Sequence, residues 1–283
     1  MRLPLYQLDA FADRPFTGNP AAVVPLARWL PDATLQAIAL ENNLAETAFL
    51  VRRDGGADGG AAGGADGAVE YDLRWFTPAI EVDLCGHATL ASAAAVQRWL
   101  APGAATVRFH TRSGALTVTG DGRDGGLLTM DFPALPPKPL DAAAATAVAE
   151  ALGQQPEAVL AADKALAVLA DEASVLAARP DLRRLAALPH DGLIVSAPGR
   201  NHDFVSRFFA PHAGIDEDPV TGSAHCVLAP YWAGRLGKTA LSARQVSARG
   251  GELALELKGA RVAISGRVAP YLEGVIELPV TAA

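Results

Sequence analysis

The sequence predicts an α/β fold made of two similar halves, each with one central helix. Three observations carry this. Short alternating apolar segments outnumber helical ones along the 283 residues. Half of the residues are hydrophobic (50%) and only 19% are charged, which is enough apolar material to fill a core. A pattern also occurs twice: Arg74-Trp75-Phe76-Thr77-Pro78 and Arg207-Phe208-Phe209-Ala210-Pro211. Each copy runs into an acidic loop, with Glu81 and Asp83 in the first and Asp216, Glu217 and Asp218 in the second. Each loop then enters an apolar helix through a glycine, in Cys85-Gly86-His87-Ala88 and Thr221-Gly222-Ser223-Ala224.

The elements follow in order. Residues 3–11 alternate and read as a strand. Gly18-Asn19-Pro20 breaks the chain, and 21–24 resume as a strand. Pro31-Asp32 starts a helix with Leu35, Ile38 and Ala39 on its buried face, and Asn42-Asn43 stops it. Strands are expected at 47–52 and 69–76. The connection between them, 54–67, is only Gly, Ala and Asp, and reads as a flexible loop that buries almost nothing. A long apolar helix begins near Gly86, and short strands follow at 105–110, 115–120 and 127–132. Pro133 to Pro139 is a candidate linker. The second half is expected to hold helix 141–152, strand 164–170, helix 173–187, strands 192–197 and 201–211, and a helix from Gly222. A β-rich run completes it.

Charge narrows the function. Lys plus Arg number 24 and Asp plus Glu 31, for a net charge of −7. That balance argues against nucleic acid or an anionic membrane as partner, since both call for a cationic face. No stretch of about 18 consecutive apolar residues is present to form a membrane span. The opening MRLPLYQLDAFADRPF carries Arg2, Asp9, Asp13 and Arg14 and lacks the apolar core of a secretory signal. Two cysteines, Cys85 and Cys226, make no disulfide scaffold and no zinc-type spacing. A cytoplasmic protein is expected.

The chemistry-bearing residues gather at the two helix starts. A helix N-terminus offers unpaired backbone N–H groups and partial positive charge. Glycine at Gly86 and Gly222 would let a ligand approach that backbone, so a small anionic substrate held between the halves is one reading. Close packing at each helix start is the other. Glu46, in Asn43-Leu44-Ala45-Glu46-Thr47, has apolar neighbours and could take and return a proton near neutral pH, or could be a surface residue at a strand start. His87 could act as acid/base, Asp218 as its orienter and Ser223 as a carboxylate-binding hydroxyl; helix capping and a surface histidine are the plainer roles. A Ser-His-Asp hydrolase lacks its GxSxG turn, and a metal site lacks HxH or HExxH. Cys85 sits at a helix start, where a thiol tends to be reactive, and Thr221 holds the matching place in the second copy.

Taken together, LDAFADRPFTGNPAAVV, NLAETAFLV, RWFTPAIEVDLCGHATLASA and FFAPHAGIDEDPVTGSAH resemble the PhzF-like proteins of phenazine biosynthesis. The resemblance runs from residue 3 to about 275. It implies the diaminopimelate epimerase-like fold, an α+β architecture of two pseudo-symmetric halves. Each half is a curved, mostly antiparallel sheet wrapped around a central helix, with the first expected over 1–120 plus about 265–283 and the second over about 121–264. It also implies isomerase chemistry by proton shift on a small carboxylate substrate, without cofactor or metal, and commonly a homodimer. The family's acid/base glutamate falls on Glu46, its histidine on His87, its aspartate and serine on Asp218 and Ser223, and its GNP segment on Gly18, Asn19 and Pro20. The related epimerases use two cysteines, whose places are taken here by Cys85 and Thr221. Two rival readings are an amino-acid racemase using Cys85 and a non-catalytic small-ligand-binding protein.

Overall fold

A computed structural model describes residues 1–53, 67–122 and 125–279. The chain divides into two units, Met1–Asp131 with Ser265–Ala283, and Phe132–Ile264. The expected loop at 54–67 lies, but for its final residue, outside the described residues.

The first unit opens with β1 (Arg2–Ala10), β2 (Asn19–Leu26), α1 (Asp32–Asn42), β3 (Glu46–Arg52), β4 (Val69–Phe76) and the short β5 (Glu81–Val82). The central helix α2 (Gly86–Ala95) follows, and a π-helical turn, Val96–Leu100, extends it. Strands β6 (Thr106–Thr111), β7 (Gly114–Gly120) and β8 (Leu128–Pro133) then complete the meander, and β18 (Val268–Glu277) adds to the far edge of β1. β1 pairs antiparallel with β2, β2 parallel with β3, β3 antiparallel with β4, β4 parallel with β6, and β6 antiparallel with β7. The sheet curls around α2, which contacts β1, β2, β3, β7 and β18. Every residue of α2 from His87 to Ala95 is buried. Its alanines let the strands close on it from several sides; a helix exposed to solvent would need a polar face. Helix α1 packs outside, burying Leu35, Ile38 and Ala39, the three residues its periodicity singles out, against Val24, Phe49 and Phe76. Asn43 ends it in the left-handed conformation.

The second unit repeats this order. It holds β9 (Lys138–Pro139), α3 (Ala142–Leu152), β10 (Ala158–Ala161), β11 (Ala165–Val168), α4 (Glu172–Ala177), α5 (Leu182–Ala186), β12 (Leu193–Pro198), β13 (Phe204–Ala210), β14 (Ile215–Asp218), α6 (Gly222–Leu236), β15 (Ala240–Gln245), β16 (Gly251–Lys258) and β17 (Arg261–Gly266). β10 pairs antiparallel with β11, β11 parallel with β12, β12 antiparallel with β13, β13 parallel with β15, and β15 antiparallel with β16. These are the pairing senses of the first unit, in sequence. Val148, Leu152, Ala165, Ala167, Leu169, Val175, Leu185, Val195 and Phe209 form the core beneath α3, α4 and α5.

Two sequence expectations fail here for local reasons. The helix expected over 173–187 is two short helices, because Pro180 cannot continue a helix and turns the chain at Ala178–Asp181. The expected linker at Pro133 to Pro139 is instead tied down. Ala134 N–H donates to the Ala260 carbonyl, Leu135 N–H to that of Cys226, and Lys138 pairs with Ala161. Prolines on a sheet margin read like a linker in sequence, since both settings lack ladder donors.

Candidate active site

Three strand and helix starts in the first unit build the site. Gly18 holds φ +67°, and a Cβ there would collide with the Ala10 carbonyl oxygen, so only glycine lets the chain turn into β2 at Asn19. Glu46 opens β3, beside Ala21 in the parallel ladder with β2. Cys85 is the extended N-cap residue of α2, with φ −145° and ψ 110°, and Gly86 and His87 begin the helix.

These starts bring Asn19, Glu46, Cys85 and His87 together, all of them buried. His87 Nε2 lies 3.0 Å from Glu46 Oε2 as an ion-pair contact, although the two atoms make no well-aligned hydrogen bond. The other ring nitrogen, Nδ1, is 3.2 Å from Asn19 Nδ2 and 3.4 Å from Cys85 Sγ. With the Asn19 amide donating to Nδ1, the proton of a neutral ring sits on Nε2, toward Glu46. Turning the amide to present its oxygen would accommodate the charged ring.

Electrostatics couples the group. Burial alone would lower the pKa of His87, but the electrostatic pull of Cys85 and Glu46 at contact distance holds it well above the ordinary imidazole value. Burial pushes the Cys85 thiol up, and Glu46 pushes the same way. The lowered thiol expected of a helix start is therefore absent, because desolvation outweighs the partial charge of the helix end. The buried Glu46–His87 pair replaces the surface alternatives for both residues.

The corresponding place in the second unit is built differently. Thr221 is the extended N-cap of α6, with φ −117° and ψ 101°, and Gly222 and Ser223 begin that helix. Thr221 Oγ1 donates to Asp218 Oδ2. Gln245, wholly buried at the end of β15, accepts from Thr221 N–H at 2.9 Å and donates to the Asp218 carbonyl at 2.7 Å. Sequence reasoning missed Gln245; its signal is a polar residue on the inward side of an alternating strand. His225 Nδ1 donates to the Thr221 carbonyl at 2.8 Å, as Thr89 Oγ1 donates to that of Cys85 at 2.6 Å. Each copy thus pins its N-cap carbonyl with a side chain four residues on. Ser223 is half-buried.

Comparison with known proteins agrees with this construction. The family model for phenazine biosynthesis-like proteins, PhzC-PhzF, matches residues 8–274. The chain belongs to the PhzC-PhzF family. An uncharacterized isomerase from Pseudomonas aeruginosa is 52% identical over 278 residues, covering 98% of this chain and 100% of the relative. The crystal structure of a PhzF-family protein from Enterococcus faecalis superposes with a TM-score of 0.88 at 43% identity, covering 98% of this chain and 100% of that one. A predicted epimerase from P. aeruginosa shares the fold, with a TM-score of 0.73 at 23% identity and 99% of this chain covered. The PhzC-PhzF chain is thus an isomerase with the epimerase-like fold. Among its described residues, no helix is long and apolar enough to cross a membrane.

Proposed function

We propose that this chain is a cofactor-independent isomerase that shifts a proton within a small carboxylate substrate, with Glu46 as the acid/base. The observation that carries the reading is the buried 3.0 Å approach of Glu46 Oε2 to His87 Nε2 at the start of α2. A carboxylate held in an apolar setting by one proton donor is poised to exchange protons with a carbon acid. In this scheme Glu46 removes a proton from a carbon beside a carboxylate or enamine. Backbone N–H groups at Gly86 hold the substrate carboxylate and oppose the enolate-like charge that develops. His87 orients Glu46, and one of the two returns the proton further along the conjugated system. Asn19, delivered by Gly18, orients His87. Asp218, Thr221, Gly222 and Ser223 are assigned to substrate contact in the same reading, with Asp218 and Thr221 already joined by a hydrogen bond. A homodimer belongs to the proposal, supported by exposed Tyr271, Leu272 and Val275 on β18; sedimentation at twice the chain mass is the expected result.

The test is proton NMR in heavy water, with small carboxylates that include 2,3-dihydro-3-hydroxyanthranilate and several amino acids. The wild type should lose a carbon-bound proton signal. Glu46→Gln should keep the fold and slow that exchange by about 10²–10⁴-fold. Turnover of Glu46→Gln within tenfold of wild type would reject the assignment. A second reading, a racemase using Cys85, is favoured by one contact, Cys85 Sγ to His87 Nδ1 at 3.4 Å. Exchange that survives Glu46→Gln and is lost in Cys85→Ser would select it.

A further inference from the structure

Glu46, Cys85 and His87 offer one oxygen, one sulfur and one nitrogen, and a ligand atom of each lies within 4.8 Å of the others. All three are buried. Around a tetrahedral zinc-type ion with bonds of about 2.0–2.3 Å, ligand atoms sit about 3.3–3.8 Å apart. The two short contacts lie at opposite nitrogens of the ring, Glu46 Oε2 at 3.0 Å from Nε2 and Cys85 Sγ at 3.4 Å from Nδ1, so a single ion keeps only one of them as an edge. Gathering the three donors on Nε2 keeps the Glu46 edge and requires Cys85 Sγ to swing round from Nδ1, with separations of up to 4.8 Å closing by about 1–1.5 Å.

We propose that Glu46, Cys85 and His87 form a three-ligand site for a borderline-soft divalent cation of the zinc class, and that its occupancy shuts off proton transfer at Glu46. The charge argument favours it. Carboxylate, thiolate and neutral imidazole around a divalent ion sum to zero, so the loaded site carries no net buried charge. The donor set also suits the cation: thiolate and imidazole select zinc or cadmium over calcium or magnesium. Glu46 Oε2 and His87 Nε2 are both buried without an aligned hydrogen bond, so a metal on that edge would satisfy both, at the cost of the weak Cys85 Sγ contact to Nδ1. A motif search overlooks the set because Glu46 arrives on a strand remote in sequence from the Cys-x-His pair. The cation takes the lone pair with which Glu46 would accept a proton, so metal and catalysis exclude each other. The regulatory half of the proposal rests on Glu46 as the base; the binding half does not.

The experiment titrates the purified full chain with cadmium alone and follows the ultraviolet thiolate-to-cadmium charge-transfer band. One ion per chain should bind, with a saturating band. Cys85→Ser should abolish the band, and Cys226→Ser should leave it intact. Glu46→Gln, which preserves size and therefore folding, should keep the band and weaken binding by about tenfold or more. Zinc should displace cadmium. No saturable band, a band that follows Cys226, or equal affinity in Glu46→Gln would each overturn the site. The two readings fail separately. A cadmium site together with a fully active Glu46→Gln sinks the base assignment alone, and an inactive Glu46→Gln without a cadmium site sinks the metal proposal alone.

Discussion

His225 shows what burial does to one ionisable side chain. It is wholly buried in α6, and desolvation brings its pKa down to about 4, opposed only by its bond to the Thr221 carbonyl. An unfolded histidine titrates near 6.5. Between those values the unfolded chain binds the extra proton, so this contribution to stability is intact above about pH 6.5 and is lost as pH falls through about 4. The full effect is about 3 kcal/mol. Urea midpoints measured from pH 7 to pH 4 should fall less for His225→Asn than for wild type. Glu46 illustrates the opposite side of legibility. Its apolar neighbours in sequence, Leu44, Ala45 and Phe49, mark it as a candidate base. Its decisive neighbour is His87, which no local pattern connects to residue 46. Cys85 is the converse: its place at a helix start is legible, while the desolvation that raises its pKa depends on β strands brought in from elsewhere.

At the scale of elements, the two central helices are capped differently: Thr89 of α2 itself holds the Cys85 carbonyl, while a side chain from another element fixes the start of α6. In α6 that side chain is Gln245, with bonds to Thr221 N–H, Thr221 Oγ1 and the Asp218 carbonyl. Gln245→Ala would remove the acceptor of the buried Thr221 N–H, at about 1–3 kcal/mol, together with the bond to the Asp218 carbonyl. A loss of about 2–4 kcal/mol in urea unfolding is expected, with loosened Asp218 and Thr221. The strands and the α1 face were legible because apolar periodicity encodes them directly, as Leu35, Ile38 and Ala39 show. The short β10 and β14 were not, since four residues are too few to display a period. The π-helical turn after α2 was also hidden: Val96–Leu100 carries no residue that distinguishes it from an ordinary helical turn.

Across the whole molecule, the repeat read from Arg74-Trp75-Phe76 and Arg207-Phe208-Phe209 has a physical counterpart. Arg74 forks onto Glu81 at 2.6 and 2.7 Å, and Arg207 onto Glu217 at 2.7 and 2.8 Å. Each guanidinium also lies over the phenylalanine two residues on, Phe76 or Phe209. The sequence repeat was visible as a spacing, but the ion pairs that keep it in place were not. Beyond the fork, Arg207 donates to the buried Val175 and Ala178 carbonyls where α4 ends, whereas Arg74 reaches the exposed Asp32 carboxylate at 2.9 Å. Lysine cannot reproduce that fork. Arg207→Lys should therefore cost about 2–4 kcal/mol in urea unfolding, and Arg74→Lys, whose additional partner Asp32 is exposed, should cost less.

The first unit draws on both ends of the chain, with β18 completing the sheet beside β1, whereas the second unit is one continuous stretch. On the ribosome this sets a timetable. Residues 132–264 can collapse on their own account as soon as they emerge. The sheet that carries Glu46 and surrounds His87 waits for β18 to be synthesised, because closing so long a loop comes late in folding. Released chains truncated before residue 268 should then protect β12 and β13 from hydrogen exchange while β1 stays open. The Glu46–His87 pair would thus be enclosed only once β18 has joined the sheet.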